Sequence, residues 1–268
     1  MQNEGIEPNS VTLASLLKLC SSNLNLGRGR EIHASSIHLG LEIHDPYVGA
    51  ILIDMYSHCD CSPDASRLFN RMPHRGVIMW NSLIAGYAQH EFCVDAINLC
   101  QQMQAEGVIQ PDSVTYISLL KACRTNGGDV EQAFWIHSQI VGDGLLSDLC
   151  VSSALIDLHA KSEFLEDANR IFDSLPERSI VTWNSLMGGY VEGEHFKKVL
   201  ELYQCMKTEG LNPDLVTFLY TVKACSYITA LQQGRLMHTR IITLGLESDV
   251  SLGNTLVDMY ASCGSLEE

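Results

Sequence analysis

The sequence predicts an all-α fold of stacked helix-turn-helix units, and three observations carry that prediction. First, Trp80-Asn81-Ser82-Leu83-Ile84-Ala85-Gly86-Tyr87 returns as Trp183-Asn184-Ser185-Leu186-Met187-Gly188-Gly189-Tyr190, at a period of about 103 residues that marks a stacked repeat. Second, Leu16-Leu17-Lys18-Leu19-Cys20 corresponds to Leu119-Leu120-Lys121-Ala122-Cys123 and Thr221-Val222-Lys223-Ala224-Cys225. Leu52-Ile53-Asp54-Met55-Tyr56, Leu155-Ile156-Asp157-Leu158-His159 and Leu256-Val257-Asp258-Met259-Tyr260 form a further set. Third, the apolar residues recur at helical spacing, and no alternating strand pattern bounded by hairpin signals is present.

The units run 10–45, 46–76, 77–112, 113–148, 149–179, 180–214, 215–249 and an incomplete 250–268. Their lengths alternate at about 36, 31 and 36 residues, then restart. In 180–214 the spacing predicts a first helix to about Val191, with Thr182 as its N-cap and Gly193 at the turn. Val199, Leu202, Tyr203 and Met206 fall at i, i+3, i+4 and i+7, which makes one apolar stripe. Gly210 then ends the helix in the left-handed conformation and Pro213 stops it. In the shorter 149–179 unit Ala168, Ile171, Phe172 and Leu175 form the stripe, and Pro176 ends it. The 77–112 unit carries one extra residue in Val108-Ile109-Gln110-Pro111, which is expected to displace Asp112. The 113–148 unit has a longer turn at Asn126-Gly127-Gly128. A lone helical pair cannot bury its stripe, so neighbours must stack on it.

The chain has 268 residues, 46% hydrophobic and 18% charged, which excludes the disordered class. Its net charge of -15, from 32 acidic and 17 basic residues, argues against gripping nucleic acid by bulk electrostatics. Ten cysteines suggest a disulfide framework or a metal site, but their positions suggest structural thiols. Cys20, Cys123 and Cys225 share one repeat position, Cys59 and Cys263 share another, and no Cys-x-x-Cys occurs. No apolar run reaches the roughly 18 residues of a membrane span. No targeting segment precedes the first repeat, and both ends read as cut from a longer protein.

Taken together, the two-helix units, the Val-Thr-Trp-Asn-Ser-Leu phrase and the Gly-Leu-Asn-Pro-Asp ending resemble pentatricopeptide repeats. The alternation of standard, long and short units resembles the PLS subclass of plant organelle RNA-editing factors. Asp54-Met55-Tyr56 and Asp258-Met259-Tyr260-Ala261-Ser262-Cys263-Gly264 look like its short units. Gly29-Arg30-Glu31-Ile32-His33 and Gly234-Arg235-Leu236-Met237-His238 look like its long units. A steady 34-residue tetratricopeptide pattern fits worse. The resemblance implies a right-handed α-solenoid superhelix that binds single-stranded organelle RNA, one base per repeat. It places base reading at the fifth and final residues of a repeat. In the standard units these are Asn81 with Asp112 and Asn184 with Asp214, a pairing that implies uracil. Ser153 with Ser179 resembles a weak purine reader, Ala50 with Gly76 reads little, and Asn254 suggests a pyrimidine. Ala14, Ile117 and Leu219 make the long units spacers. Ile78 and Val181 are the base-sandwiching residues, and Lys161 is a weak phosphate contact.

Each assignment has a plainer alternative. The terminal aspartates Asp45, Asp112, Asp148, Asp214 and Asp249 suit the start of a following helix equally well. Trp80 and Trp183 read as packing residues, as do His33, His137 and His238. The resemblance implies a targeting address in mitochondrion or chloroplast and protein partners in an editing complex. A zinc deaminase needs His-x-Glu and Cys-x-x-Cys, and neither occurs here, so the expectation is a non-enzymatic RNA reader without metal or cofactor. The alternative is a helical protein-binding scaffold, favoured by the acidic balance.

Overall fold

The computed structural model describes residues 8–124 and 130–265, so the turn at Asn126-Gly127-Gly128 lies outside the described residues. The chain divides into two compact halves, Met1–Ile136 and His137–Glu268. The first holds α1 (Ser10–Ser22), α2 (Leu26–His38), the four-residue α3 (Leu41–His44), α4 (Pro46–His58), α5 (Ser62–Arg71), α6 (Val77–Gln89), α7 (Cys93–Glu106) and α8 (Ser113–Arg124). The boundary falls within α9 (Val130–Gly142). The second half continues with a 3-10 turn (Leu145–Ser147), α10 (Leu149–Lys161), α11 (Leu165–Ser174), α12 (Ile180–Glu192), α13 (Phe196–Thr208), α14 (Leu215–Tyr227), α15 (Leu231–Thr243) and α16 (Val250–Ser262). The described residues contain no strand, and no described helix is long and apolar enough to cross a membrane.

Each half is a stack of antiparallel helical hairpins. In the first half α1, α4, α6 and α8 pack side by side as one layer, with α2, α5 and α7 behind them. In the second, α10, α12, α14 and α16 form that layer, backed by α11, α13 and α15. The stripe residues face inward: Ala168, Ile171, Phe172, Val199, Tyr203 and Met206 are all buried. Trp80 and Trp183 are buried too, each meeting a phenylalanine of the preceding hairpin edge-on at 4.6 Å, Phe69 and Phe172 respectively. Removing either indole would cost about 3–5 kcal/mol by the usual core-cavity scale. Layer spacing is set by glycine at two equivalent places. A Cβ on Gly86 would come within 2.3 Å of the Ser57 hydroxyl, and one on Gly189 within 2.1 Å of the Ala160 methyl. That close approach explains glycine in the middle of a helix, where it is otherwise disfavoured.

The boundaries of the hairpins follow capping chemistry. Gly107 and Gly210 leave their helices at φ 68° and 81°, in the left-handed region. Most first helices of the hairpins open on a polar cap. Asn9, Asp45, Asp148, Ser179, Asp214 and Asp249 each accept a hydrogen bond from an amide of the helix that follows. Two sequence expectations need correction. Thr182 is not the cap of α12. The helix starts at Ile180, and the Ser179 hydroxyl accepts from the Thr182 amide, which places Thr182 in the first turn. Nor is Cys123 a solitary thiol, because it is disulfide-bonded to Cys93. The shared repeat position concealed this. The partner lies on α7, at a place where the later hairpin carries Phe196, so one equivalent site has a second sulfur and the other does not. Cys20, Cys100 and Cys225 are buried and outside any disulfide, and burial pushes the Cys225 thiol up to about 11.

The recurrent histidines pack as expected. His33 Nδ1 lies 2.7 Å from the Tyr56 hydroxyl, and His238 Nδ1 lies 2.9 Å from that of Tyr260. At the third equivalent place the tyrosine is His159, whose ring meets His137 edge-on at 5.1 Å.

Candidate nucleic-acid interface

The fifth residue of a repeat sits in the first turns of one first-layer helix, and the final residue caps the next. Stacking those helices brings the two together across about thirty residues of chain. In the first half Asn81 Nδ2 donates to Asp112 Oδ1 at 3.0 Å. In the second, Asn184 Nδ2 donates to Asp214 Oδ1 at 2.9 Å. The extra residue before Asp112 therefore does not displace it. The linker absorbs it, with Val108 86% exposed.

A third residue, not singled out by the sequence, completes each site. The Thr115 hydroxyl lies 2.6 Å from Asn81 Oδ1 and 3.0 Å from Asp112 Oδ1, and the Thr115 amide donates to the same carboxylate at 3.0 Å. Thr217 repeats this with Asn184 at 2.8 Å and Asp214 at 2.8 Å, its amide donating at 2.9 Å. The signal was legible as Asp-x-x-Thr, a reciprocal cap in which threonine takes the place of the usual Glu or Gln. Each aspartate thus caps a helix and orients an amide at once.

The electrostatics favour a fixed carboxylate. Burial pushes the Asp112 carboxyl up, but hydrogen bonds from the Thr115 amide and hydroxyl and from Asn81 outweigh it and hold it below its ordinary value. Asp214 is held below its ordinary value in the same way by Thr217 and Asn184. Each asparagine uses one N–H and one lone pair internally. An amide side chain has two of each, so each keeps one donor and one acceptor unused internally; Asn81 is half-buried and Asn184 is buried, 8% exposed.

Around these amides the second residues of α6, α8, α12 and α14 are apolar yet open. Ile78 is 63% exposed and Val181 58%, and Val114 and Val216, one repeat later, are also exposed. Positions two, five and nine of a helix share one face, so each amide is bracketed by apolar side chains in register. The other predicted readers differ. The hydroxyls of Ser153 and Ser179 both meet that of Thr182, at 2.9 and 2.8 Å, and Ser153 is buried. Ala50 is buried and Asn254 exposed. Ala14 is buried, and Ile117 and Leu219 are half-buried. The Lys161 ammonium sits 2.9 Å from Asp157 and 4.0 Å from Glu192, so its charge is already matched.

Comparison with known proteins decides the family. The description "PPR repeat family" matches residues 75–125 and 178–226, and "PPR repeat" matches 51–77 and 151–180, together more than half the chain. The chain belongs to the pentatricopeptide repeat family. It is 34% identical to a pentatricopeptide repeat-containing protein of Arabidopsis thaliana over 100% of this chain and 38% of that protein. A mitochondrial relative from the same plant is 33% identical over 100% of this chain and 26% of its own length. A chloroplastic one is 33% identical over 98% and 31%. The chain therefore spans well under half of these relatives. Among solved structures, the pentatricopeptide repeat protein PPR10 in complex with an 18-nt psaJ RNA element superposes with TM-score 0.74. It shares 18% identity and is matched over 100% of this chain and 42% of PPR10. At that identity the likeness establishes the fold, an α-solenoid of pentatricopeptide hairpins.

Proposed function

We propose that this chain is the RNA-reading part of a longer plant organelle protein, each standard repeat meeting one base of a single strand. The observation that carries the reading is the Asn–Asp–Thr arrangement, built twice with matching distances. An amide fixed on one side by a carboxylate and a hydroxyl presents its remaining N–H and carbonyl to a base edge. Uracil offers a complementary N–H and carbonyl, and the Asn/Asp pairing as this family uses it implies uracil at Asn81/Asp112 and at Asn184/Asp214. Ile78 and Val181 cover the base faces. Ser153 and Ser179, tied to Thr182, supply a weaker site, Asn254 reads a pyrimidine, and the ion-paired Lys161 adds little.

The stretch is a binding array, not an enzyme. Its mitochondrial and chloroplastic relatives support an organellar address. PLS-type alternation supports a part in C-to-U editing, with protein partners supplying or accompanying the deaminase. Titration of a strand carrying uracil at the two assigned positions tests the reading. Binding should fall when either uracil is replaced, and Asn184→Ala should erase the preference at one position only. A preference that survives Asn184→Ala at both positions would sink the assignment.

A protein-scaffold reading keeps one specific support. Ile37, Val141 and Ile242 occupy the same register of the three long-unit second helices and are 50%, 52% and 53% exposed. If no strand binds at low salt while a protein partner is captured, that reading prevails.

A further inference from the structure

The net charge of -15 is the strongest objection to an RNA reader, and the placement of the basic residues answers it. Several arginines of the second-layer helices and linkers are neutralised where they stand. Arg30 pairs with Asp64 at 2.9 Å, Arg71 with Glu42 at 3.1 Å, Arg75 with Glu106 at 2.8 Å, and Arg178 with Glu209 at 2.7 Å. Arg75 and Arg178 also lie over Phe69 and Phe172. These cations fasten hairpin to hairpin.

Three lysines behave differently. Lys18, Lys121 and Lys223 occupy the ninth position of α1, α8 and α14, the first helices of the three long repeats. All three are exposed, and among the described residues none has a carboxylate at ion-pairing distance. Each is one turn beyond the fifth position of its own helix and on the same face. That face also carries the open apolar second residues Val11, Val114 and Val216. Lys18 is placed more closely still. Its ammonium lies 6.0 Å from the centre of the Tyr47 ring, and Tyr47 is the exposed second residue of the following repeat. The standard repeats carry Ala85 and Gly188 at position nine, and the short repeats carry Asp54, Asp157 and Asp258. Lysine at position nine is thus confined to long repeats, whose fifth positions, Ala14, Ile117 and Leu219, have no hydrogen-bonding group; Lys18 is near enough to Asp54 to draw its carboxyl down against the effect of burial.

We infer that Lys18, Lys121 and Lys223 are backbone contacts: each long repeat grips a phosphodiester of the bound strand and leaves base reading to its neighbours. This rests on the RNA-reading proposal and assigns the long repeats a binding task. An ammonium on a flexible stem suits it, since a point charge needs no fixed geometry against phosphate.

The test is the salt dependence of strand binding. Each phosphate neutralised on a single strand contributes about 0.7 to the slope of log affinity against log salt. K18Q/K121Q/K223Q should therefore flatten the slope by about 2, shrinking the affinity loss between 50 and 200 mM salt by roughly twentyfold. Uracil preference at the Asn184 position should persist. The triple Lys→Arg variant should keep the original slope, and K197Q, at an exposed second-layer lysine on α13, should leave it unchanged. Circular dichroism of the triple variant checks that the helices remain. An unaltered slope with intact uracil preference overturns the lysine assignment and leaves the reader standing. An equal flattening by K197Q overturns it too, because a general charge effect would explain both. Absence of strand binding by the unaltered chain at every salt concentration defeats the reader itself.

Discussion

The repeats at 77–112 and 180–214 share a phrase and an Asn–Asp–Thr cluster but not their surroundings. The first has an extra linker residue and a disulfide joining its second helix to α8. The second has neither, and its Phe196 stacks on Tyr227 at 4.3 Å instead. Yet the Asn–Asp distances are 3.0 and 2.9 Å. The difference teaches that the site is set by the first-layer helices and their caps. The second helices are free to vary in how they are fastened.

Four measurements can break or sharpen that comparison. The largest effect belongs to the disulfide. It closes a loop of 30 residues, and removing such a crosslink should destabilise the first half by about 3–4 kcal/mol. Denaturant unfolding of Cys93→Ser/Cys123→Ala reads this, while uracil preference at Asn81 should survive. Loss of that preference would show that the second helix does shape the site.

Next comes His159, which burial pushes down to about 4, with His137 adding to the shift. The unfolded imidazole titrates near 6.5, so the native state resists a proton that the unfolded state accepts. Stability is complete above that value and falls as pH drops from about 6.5 towards 4, by up to about 1.4 kcal/mol per unit. His159→Tyr restores the pairing seen at Tyr56 and Tyr260 and should flatten the profile. A persistent acid loss of the same size would place the cause elsewhere.

Thr217→Val and Thr115→Val remove the hydroxyl bridge but leave the cap aspartate in place. Each should cost about 1 kcal/mol in stability and blur base preference at its own repeat. Unequal effects would mean that the two sites are not equivalent. The smallest expected change is with pH. Asp112 and Asp214 are held below their ordinary values, so they stay ionised from pH 5 to 8 and uracil preference should be constant there. Their contribution to stability is present above about 3.9 and fades only as pH falls through the lowered native values. A midpoint near neutrality would remove the carboxylates from the readout.

The site was partly legible. Two asparagines at the same place in a long period, each about thirty residues before an aspartate, pointed to the pair. Thr115 and Thr217 were passed over because threonine three residues after an aspartate reads as an ordinary cap, and only stacking reveals that its hydroxyl also reaches the preceding helix. The disulfide was hidden for a related reason. Cys123 has counterparts at Cys20 and Cys225, but Cys93 has none, so periodicity favoured the wrong partnerless reading.

Local rules operate within a few residues, and these the amino-acid sequence determined: where helices begin and end, which stripe is buried and how the hairpins repeat. Contacts between neighbouring hairpins depend on side chains far apart along the chain. The meeting of Asn81 with Asp112 and Thr115, the joining of Cys93 to Cys123 and the approach of Glu192 to Lys161 were decided only when the helices packed. Packing fixes distances that periodicity leaves open.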